Sequence, residues 1–373
     1  MPQILHVFKT GYPKSFGGVE QVIYQLALST CQQGFGHEVL ILHDGPEYEL
    51  HQRPEARVHC VPASLDLLST PMSWAYLRHY RQLARRADLI HYHFPYPFAD
   101  LAHCLFNSGK PSLVTYHSDV VKQKIAKRLY APLMHRFLGS VERIVATSDN
   151  YVASSEVLQR YRDKTHVVPL GIDEASYPRP DESRGEQWRK RVGQGFFFFI
   201  GALRYYKGLH VLIEAARQTG LPVVIGGAGG IESDLRQQAA GLDNIHWTGF
   251  LSEEDKAALF RLSGAFVFPS HLRSEAFGVG LLEAAMHGKP MISTDIGTGT
   301  NFVNQHDETG LVVAPDDPAA LAQAMRQLAG EPVQAERFAL SARKRYEALF
   351  TAQRMGDAYR EHYLQLIGRS ADE

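Results

Sequence analysis

Residues 196–208 read FFFFIGALRYYKG, and this stretch gives the most direct indication of the fold. Its five leading apolar residues are typical of a strand that is buried on both faces of a parallel sheet. A glycine follows directly, and helix-period sequence begins after Gly208. Strand, short loop and helix in this order form the repeating unit of a doubly wound sheet.

The same alternation recurs on both sides of this stretch. Residues 168–195 interrupt it with many charges and three prolines, which is typical of a linker. The sequence therefore predicts an α/β protein with two Rossmann-like, doubly wound domains that face each other across a cleft, over residues 1–170 and 171–350. The other strand-like segments are 4–8, 37–43, 88–94, 111–117, 143–148, 221–227, 244–250, 265–270 and 290–295.

Composition excludes several classes of function. The 373 residues carry 39 basic and 40 acidic side chains, so the overall charge predicts neither a nucleic-acid nor a membrane partner. Three widely spaced cysteines favour reduced thiols in the cytoplasm and show no metal-ligand spacing. The first residues predict a strand rather than a signal peptide, because no basic segment precedes their short apolar run. No apolar run approaches bilayer length, so we expect a cytoplasmic protein that at most docks on a membrane.

Two pairs of residues could bind a diphosphate. Gly17 and Gly18 stand between the first strand and a predicted helix, where bare backbone amides can approach an anion at the positive end of the helix dipole. Arg204 and Lys207 directly follow a strand, three residues apart, and suit a diphosphate as paired cations. Each pair also has an ordinary interpretation. The glycines could simply form a βα turn, and the two cations could be solvated charges on a loop. The residues alone leave the functional and the ordinary interpretation of each pair open.

A third candidate is SEAFGVGLLEA at 274–284, where Glu275 and Glu283 lie eight positions apart. Glu275 precedes a helix predicted from Gly278, and Glu283 lies about one and a half turns inside it. The backbone amides of Phe277 and Gly278 would offer a second anion site at the helix N-terminus. Because carboxylates accept hydrogen bonds from hydroxyl groups, this layout suits a nucleotide sugar. The ordinary alternatives are that Glu275 is an acidic residue favoured at the start of a helix and that Glu283 is a surface residue of an amphipathic helix.

The histidines and the missing motifs narrow the chemistry further. His91 and His93 share one face of a strand and are interpreted as structural, since no third ligand with zinc spacing is apparent. His117 ends a strand, with Asp119 two residues later, and is the better functional candidate. No Asp-x-Asp pair is present to hold a divalent metal on a diphosphate. The absence of a Gly-x-x-x-x-Gly-Lys-Ser/Thr loop disfavours an ATPase.

Taken together, these segments resemble the family 4 glycosyltransferases, which have the GT-B fold. The residues that carry the resemblance, in order and over nearly the whole chain, are FGGVE, TYHSD, VPLGID, GALRYYKG, SEAFGVGLLEA and GLVVAPDDPAAL. The resemblance implies a retaining, metal-independent transfer of a hexose from a nucleotide sugar to a hydroxyl group. It also implies that residues 351–373 form a last helix that packs back on the N-terminal domain. TYHSD departs from the His-Gly of many members.

The resemblance also assigns roles in catalysis and substrate binding. The catalytic set that it implies is His117, Arg204, Lys207 and Glu275. The further substrate-binding residues that it implies are Gly17, Gly18, Asp119, Phe277, Gly278 and Glu283. In these roles the glycines and cations would surround the diphosphate, Glu275 would bind sugar hydroxyls, Glu283 would hold the ribose, and His117 would contact the sugar or the acceptor. No metal or other cofactor is implied.

The opening HVFKTGYPKSFGGVEQVI resembles bacterial mannosyl- and rhamnosyltransferases of surface-polysaccharide and lipopolysaccharide synthesis, which use GDP-mannose or GDP-rhamnose. Acceptors bind the N-terminal domain in this family, so a lipid-linked or polysaccharide acceptor at the inner face of the cytoplasmic membrane is expected. Segments 76–87 and 120–139 are basic and amphipathic, which leaves contact with anionic lipid and an ordinary surface role equally open.

No residue stands out as a nucleophile, which favours departure and attack on the same face of the sugar. Three alternative functions remain compatible with these sequence features. One is a nucleotide-sugar 2-epimerase on the same fold, which would need no acceptor. Another is a transferase that uses UDP-sugars, and the third is a catalytically silent scaffold, against which the retained cations and glutamates argue.

Overall fold

A computed structural model describes residues 1–67, 70–106, 108–120, 124–179 and 182–368, with the backbone alone described at 124–127. The chain divides into two compact units. The N-terminal unit contains Met1–Gly171 and Ala352–Glu373, and the C-terminal unit contains Ile172–Thr351. Each of the two boundaries lies one residue after the position predicted from the sequence.

The strands of the N-terminal unit are short, and those of its central sheet are largely buried. They are β1 (Gln3–Val7), β2 (Gly36–His43), β3 (Glu49–Gln52), β4 (Arg57–Pro62), β5 (Leu65–Leu67), β6 (Thr70–Met72), β7 (Leu89–Phe94), β8 (Ser112–Tyr116), β9 (Arg143–Ala146) and β10 (Thr165–Val167). Within the described residues, eight of them form one sheet in the order β10-β9-β8-β7-β1-β2-β4-β3. Neighbours are parallel except β3 and β4, while β5 and β6 form a separate antiparallel hairpin.

Helices connect the parallel strands, because the chain must cross over before it can add another parallel strand. They are α1 (Gly18–Cys31), α2 (Trp74–Arg86), α3 (Pro97–Leu105), α4 (Lys124–Ser140), α5 (Asp149–Ser154) and α6 (Glu156–Arg160), with a 3₁₀ turn at Arg162–Lys164. The sheet grows outward from β1 in both directions, through β2 and through β7. Ligands of such sheets bind beyond the carboxyl ends of the strands at this reversal of strand order.

The C-terminal unit repeats the plan with a parallel sheet. Its strands are β11 (Phe197–Ile200), β12 (Val223–Gly226), β13 (Ile245–Gly249), β14 (Ala265–Phe268), β15 (Met291–Thr294) and β16 (Gly310–Val313), in the order β13-β12-β11-β14-β15-β16. Its helices are α7 (Glu182–Val192), α8 (Leu209–Thr219), α9 (Glu232–Gln238), α10 (Glu253–Leu262), α11 (Val279–Met286), α12 (Thr300–Val303), α13 (Pro318–Gly330) and α14 (Pro332–Leu349), with 3₁₀ turns at Glu174–Ser176 and Tyr205–Lys207. The predicted doubly wound arrangement is confirmed, and β11 and β14 are neighbours at its centre.

The predicted linker over 168–195 is wrong in one respect, because α7 lies within it. Within this fully described helix only Trp188 and Val192 are buried, so the exposed charges conceal its period in the sequence. Trp188 donates a hydrogen bond from Nε1 to Asp255 Oδ1 at 2.8 Å, and Arg184 forms an ion pair with the same carboxylate at 3.0 Å. These contacts fix α7 against α10, and α7 is therefore part of the C-terminal unit.

The last helix, α15 (Ala352–Ile367), returns to the N-terminal unit and packs along α1. Gly356 permits this close approach, because a Cβ there would lie 2.6 Å from Ser29 Oγ. Tyr359 Oη lies 2.7 Å from Thr115 Oγ1, and Tyr363 Oη lies 2.8 Å from His91 Nδ1. These buried hydrogen bonds tie α15 to β7 and β8, so the end of the chain completes the N-terminal core.

Candidate functional site

Two loops of the C-terminal unit are in close contact at the carboxyl ends of β11 and β14. Gly208 ends the first loop at φ 68°, a left-handed conformation that favours glycine. A Cβ at this position would lie 1.9 Å from the carbonyl oxygen of Pro269, which opens the second loop. His271 also donates its backbone N–H to the carbonyl oxygen of Tyr206 at 3.0 Å. The two backbones therefore approach closely enough for side chains of one loop to reach those of the other.

Lys207 and Glu275 form a largely buried ion pair between these loops, from Nζ to Oε2. Both side chains are 12% exposed, and the ammonium group lies 4.6 Å from the ring centre of Phe268. Ser270 donates a hydrogen bond from its hydroxyl to the same carboxylate oxygen at 3.5 Å. Burial acts to lower the pKa of Lys207, but the adjacent Glu275 and then Tyr206 outweigh it and raise that pKa above its usual value. Lys207 is therefore a fixed positive charge at physiological pH.

Arg204, which the sequence pairs with Lys207, lies differently. It is exposed at the start of the 3₁₀ turn, and its guanidinium has no ion-pair partner within the part of the chain that the structure describes. The structure thus brings Lys207 and Glu275 together and leaves Arg204 at the solvent edge. Its long side chain can reach a bound anion, at the cost of side-chain conformational freedom.

The N-terminus of α11 presents backbone amides shortly after Glu275. Gly278 begins the helix at φ 89°, and no side chain caps it. The ring of Phe277 is buried, with its centre 6.2 Å from that of Phe350, so only the backbone of Phe277 is available to a ligand. Uncapped amides at the positive end of a helix dipole form a site for phosphate or another anion.

Glu283 is buried inside α11 and has two partners that the sequence analysis missed. Lys256 Nζ lies 2.7 Å from Glu283 Oε1, and the Tyr177 hydroxyl donates to the same oxygen at 3.1 Å. Lys256 also pairs with Glu253 at 2.7 Å. Burial acts to lower the pKa of Lys256, but the two carboxylates outweigh it and raise that pKa. No sequence signal distinguishes Lys256, because acidic residues followed by a lysine are ordinary in the first turn of an exposed helix.

The predicted glycine pair lies at the start of α1 in the N-terminal unit. Gly17 caps the helix in an extended conformation, Gly18 is its first residue, and both are exposed. The first turn also contains Glu20, whose Oε1 accepts hydrogen bonds from the hydroxyls of Thr10 at 2.7 Å and Ser15 at 3.0 Å. A Cβ on Gly17 would lie 2.5 Å from Glu20 Oε2. A carboxylate therefore stands beside the amides for which the sequence predicts a diphosphate.

His117 and Asp119 follow β8 in the same unit. Asp119 Oδ1 accepts hydrogen bonds from the hydroxyls of Tyr116 at 2.8 Å and Ser155 at 2.7 Å, so this oxygen holds the loop in place. His117 is 8% exposed, and its Nε2 lies 2.9 Å from Nδ1 of His93. Burial lowers the pKa of His117 to about 3, so the ring is neutral at physiological pH.

No third histidine with zinc spacing accompanies His91 and His93 in the sequence, but the structure places His6 beside them. β1 pairs with β7 so that His6 is opposite His91, and one ring nitrogen from each of the three lies within 4.8 Å of the others. Every ring nitrogen of the three already has a hydrogen-bond partner in the protein. Only the pairing of strands reveals this cluster, because β1 is far from β7 along the chain.

Comparison with known proteins covers both units. Residues 16–176 match the family described as Glycosyltransferase Family 4, and residues 181–345 match the family described as Glycosyl transferases group 1. The chain is 51% identical over 352 residues to the D-rhamnosyltransferase WbpZ of Pseudomonas aeruginosa, covering 94% of this chain and 92% of that protein. It is 45% identical over 367 residues to O-antigen chain mannosyltransferase C of Escherichia coli, covering 98% and 99%.

Solved structures share the fold at low sequence identity. The sucrose-phosphate synthase of Thermosynechococcus elongatus superimposes with a TM-score of 0.83 at 20% identity, covering 99% of this chain and 100% of that one. HepE of Anabaena, in complex with UDP and glucose, superimposes with a TM-score of 0.78 at 19% identity, covering 98% and 100%. At this identity the likeness concerns the fold alone, and it confirms the prediction of two doubly wound domains.

Proposed function

The chain belongs to the family 4 glycosyltransferases and has the GT-B fold, and from that premise we propose its donor, acceptor and mechanism. The enzyme transfers a hexose of the mannose series from a GDP-sugar to a hydroxyl group of a lipid-linked or polysaccharide acceptor during synthesis of a bacterial surface glycan. The observation that carries the proposal is the Lys207–Glu275 pair near the uncapped N-terminus of α11. A fixed cation, free amides and a carboxylate are the groups that an activated sugar requires.

The donor diphosphate binds at Lys207 and the first amides of α11. Negative charge develops on the diphosphate as its bond to the sugar breaks, and a preorganised cation and helix dipole stabilise that charge. Lys207 keeps its proton throughout the neutral range, because Glu275 raises its pKa against the effect of burial. Arg204 joins the diphosphate from the solvent side.

The two glutamates bind hydroxyl groups on either side of the diphosphate. Glu275 is held through Oε2 by Lys207 and Ser270, and the described residues leave its Oε1 for hydroxyls of the sugar. Glu283 is held through Oε1 by Lys256 and Tyr177, and its second oxygen serves the ribose. Both carboxylates are oriented by the protein before the donor arrives, which lowers the entropy cost of binding.

The sugar has the mannose configuration. The two relatives described above are named as a D-rhamnosyltransferase and a mannosyltransferase. D-Rhamnose is 6-deoxymannose, so a site suited to either sugar recognises the same arrangement of ring hydroxyls. Initial rates with GDP-mannose and GDP-D-rhamnose, measured at equal concentration, distinguish the two donors.

Transfer proceeds with retention on one face of the sugar. The bond from the anomeric carbon to the phosphate oxygen breaks, the acceptor oxygen bonds to that carbon from the same side, and the acceptor proton passes to the leaving diphosphate. Glu275 is a poor candidate for a nucleophile, because its carboxylate is already paired with Lys207. A covalent sugar adduct, trapped by mass spectrometry without acceptor, would contradict this route.

No divalent metal takes part in the proposed reaction. Lys207 and the amides of α11 supply the positive charge that Mg²⁺ supplies in other diphosphate sites. Excess EDTA is expected to leave the rate unchanged. A loss of activity that added Mg²⁺ or Mn²⁺ restores would contradict this part of the proposal.

GDP is expected to raise the melting temperature of the protein more than UDP or ADP at equal concentration. A nucleotide at 100 times its dissociation constant stabilises the folded state by about 2.7 kcal/mol. For a unit of this size that corresponds to roughly 5–10 °C. Differential scanning fluorimetry with the three nucleotides and their sugar conjugates measures the shift, and Lys207→Met should reduce it. A shift with UDP alone would replace the proposed donor, and no shift with any nucleotide would contradict nucleotide-sugar binding.

The acceptor side of the proposal includes contact with anionic lipid. The hairpin β5–β6 exposes Leu65 and Leu67, and the helix that follows it begins with Trp74, which is 85% exposed. The same helix, α2, also exposes Arg78, Arg81, Arg85 and Arg86. Apolar side chains next to arginines are the combination that binds the surface of an anionic bilayer. None of the described helices has both the length and the apolar character needed to cross one.

The second predicted basic segment, 120–139, is only partly described. Lys122 and the side chains of Lys124 and Lys127 lie outside the described residues, while Arg128 and Arg136 are exposed on α4. The lipid-contact proposal therefore rests on α2 and the hairpin that precedes it.

Vesicles that contain phosphatidylglycerol are expected to carry the protein upward in a flotation gradient, and phosphatidylcholine vesicles are not. Trp74→Ala combined with Arg81→Glu should abolish flotation, because it removes both the apolar and the electrostatic contribution. The matched control reverses two exposed charges of α7, Arg189→Glu with Lys190→Glu, and should float normally. Equal recovery on both kinds of vesicle would contradict the lipid contact.

A further inference from the structure

Four buried histidines of the N-terminal unit form a continuous hydrogen-bonded series, here named the histidine chain. His117 Nε2 lies 2.9 Å from His93 Nδ1, and His93 Nε2 lies 3.1 Å from His6 Nδ1. His6 Nε2 lies 3.0 Å from His37 Nδ1. Successive ring centres are 5.2, 5.4 and 5.2 Å apart. The series therefore runs from the end of β8, across β7 and β1, to β2 in the core.

The inner end of the histidine chain is fixed by Thr30 on α1. His37 Nε2 lies 2.9 Å from Thr30 Oγ1, and that hydroxyl oxygen lies 2.6 Å from the carbonyl oxygen of Leu26. A carbonyl only accepts, so the hydroxyl donates its single proton to Leu26 and accepts a proton from His37. The opposite arrangement would press two oxygens together at 2.6 Å with no proton between them. Inside a core, that loss of a hydrogen bond is costly.

Every ring of the histidine chain is neutral at physiological pH. Burial lowers the pKa of His37 and of His117 to about 3. Burial, and then the neighbouring histidines, hold the pKa values of His6 and His93 well below the usual range. A neutral imidazole has one N–H and one bare nitrogen, so each ring donates once and accepts once.

The direction of every hydrogen bond in the histidine chain follows from the proton that His37 donates to Thr30 and from the neutrality of each ring. His37 is protonated on Nε2, so its Nδ1 is bare and accepts from His6 Nε2. The same reasoning then places the proton of His93 on Nε2, and finally that of His117 on Nε2. Nδ1 of His117 is the bare nitrogen at the outer end of the series, and it has no hydrogen-bond partner within the described residues.

We propose that Thr30 and the histidine chain fix the tautomer of His117, so that its Nδ1 accepts a hydrogen bond from a hydroxyl group of the substrate. A bare nitrogen selects a hydroxyl donor and repels a phosphate oxygen, so His117 contributes to recognition of a sugar rather than of the diphosphate. Thr30, His37, His6 and His93 are positioning residues that act through His117. The tautomer of His117 follows from contacts within the protein and does not depend on the proposed function, whereas the contact with a sugar hydroxyl rests on that function.

The tautomer is measured directly in the full-length protein without substrate. Long-range ¹H–¹⁵N spectra of protein labelled at histidine distinguish a protonated from a bare ring nitrogen, and the His117→Gln variant identifies the signals of His117. We expect Nε2 protonated and Nδ1 bare. A proton on Nδ1 of His117, in either a neutral or a charged ring, would overturn the proposal. So would one equivalent of zinc that the purified protein contains and the His6→Ala variant lacks, since a metal held by His6, His91 and His93 would break the series.

Two substitutions of Thr30 test the anchor. Thr30→Val keeps the shape of the side chain and removes the hydroxyl. Without that hydroxyl the hydrogen bonds of the histidine chain can point in either direction, so the signals of His117 should show a mixture of tautomers. Thr30→Ser keeps the hydroxyl and should retain the wild-type tautomer. Unchanged His117 signals in Thr30→Val would show that Thr30 does not set the direction.

Kinetics test the consequence for the substrate. Thr30→Val is expected to lower kcat/KM in proportion to the fraction of His117 that carries its proton on Nδ1, about twofold for an equal mixture, whereas Thr30→Ser should leave kcat/KM unchanged. The substrate whose KM rises, donor or acceptor, is the one whose hydroxyl meets His117. Equal losses in both variants, with unchanged tautomers, would reduce Thr30 to a packing role and overturn the proposal. Absence of activity with every donor would refute the proposed function, while the spectra would still decide the tautomer.

Discussion

Lys207→Met is expected to lower kcat by about 100- to 1,000-fold, the usual effect of removing one preorganised group that stabilises a developing charge. Methionine keeps the apolar stem that packs near Phe268 but cannot neutralise the leaving diphosphate. The substitution also leaves Glu275 largely buried without its cation, which should lower the free energy of unfolding by about 3 kcal/mol. Steady-state kinetics at saturating donor, together with thermal unfolding, measure the two effects separately.

Lys256→Met is the matched control for this substitution. Lys256 is 12% exposed, as Lys207 is, and it pairs with the second glutamate, Glu283. The loss of stability should therefore be similar. Because Glu283 is proposed to bind the ribose, the kinetic effect should fall mainly on KM for the donor, with kcat lowered by about tenfold at most. Equal losses of kcat in the two variants would contradict a special role for Lys207 at the leaving group.

Gly208→Ala is expected to lower the melting temperature by about 6–12 °C, corresponding to about 3 kcal/mol in a unit of this size. Part of the cost is the left-handed backbone at φ 68°, which alanine adopts at about 1–2 kcal/mol. The rest arises because a Cβ would lie 1.9 Å from the carbonyl oxygen of Pro269, so the two loops must separate. That movement displaces Lys207, and kcat should fall as well.

Gly220→Ala separates the two contributions. Gly220 ends the same helix, α8, at φ 67°, but no atom lies within 4 Å of the position of its Cβ. Alanine there should lower the melting temperature by only about 2–8 °C, the cost of the left-handed backbone alone, and leave kcat unchanged. If the two variants lose the same stability and the same activity, the contact with Pro269 does not position Lys207.

The fold could be predicted from the sequence because its signals are local. The apolar run at 196–200 and the turn at Gly208 specify a strand and a loop without any knowledge of distant residues. Lys207 and Glu275 could be nominated in the same way, as polar residues that follow buried strands. Their direct pairing could not, because it depends on how closely the loop at Gly208 approaches Pro269.

The features that escaped prediction depend on the order of strands or on the context of a charge. His6, His37 and His93 become neighbours only because β1 lies between β2 and β7. Glu20 is the third residue of α1, a position from which a glutamate can fold back to the N-cap, and its carboxylate lies beside Gly17, although the glycines alone suggested a bare anion site. The helix α7 shows no apolar periodicity in the sequence, because only two of its residues are buried and most of the others are charged or polar.

The return of α15 has a consequence for synthesis on the ribosome. Tyr359 and Tyr363 bond to groups on β8 and β7, yet they are translated after the whole C-terminal unit. The surfaces of the nascent N-terminal sheet beside α1 and His91 therefore stay uncovered until α15 has been translated. A polypeptide that stops before Ala352 lacks these contacts and exposes those surfaces, and exposed apolar surface is what chaperones and proteases recognise.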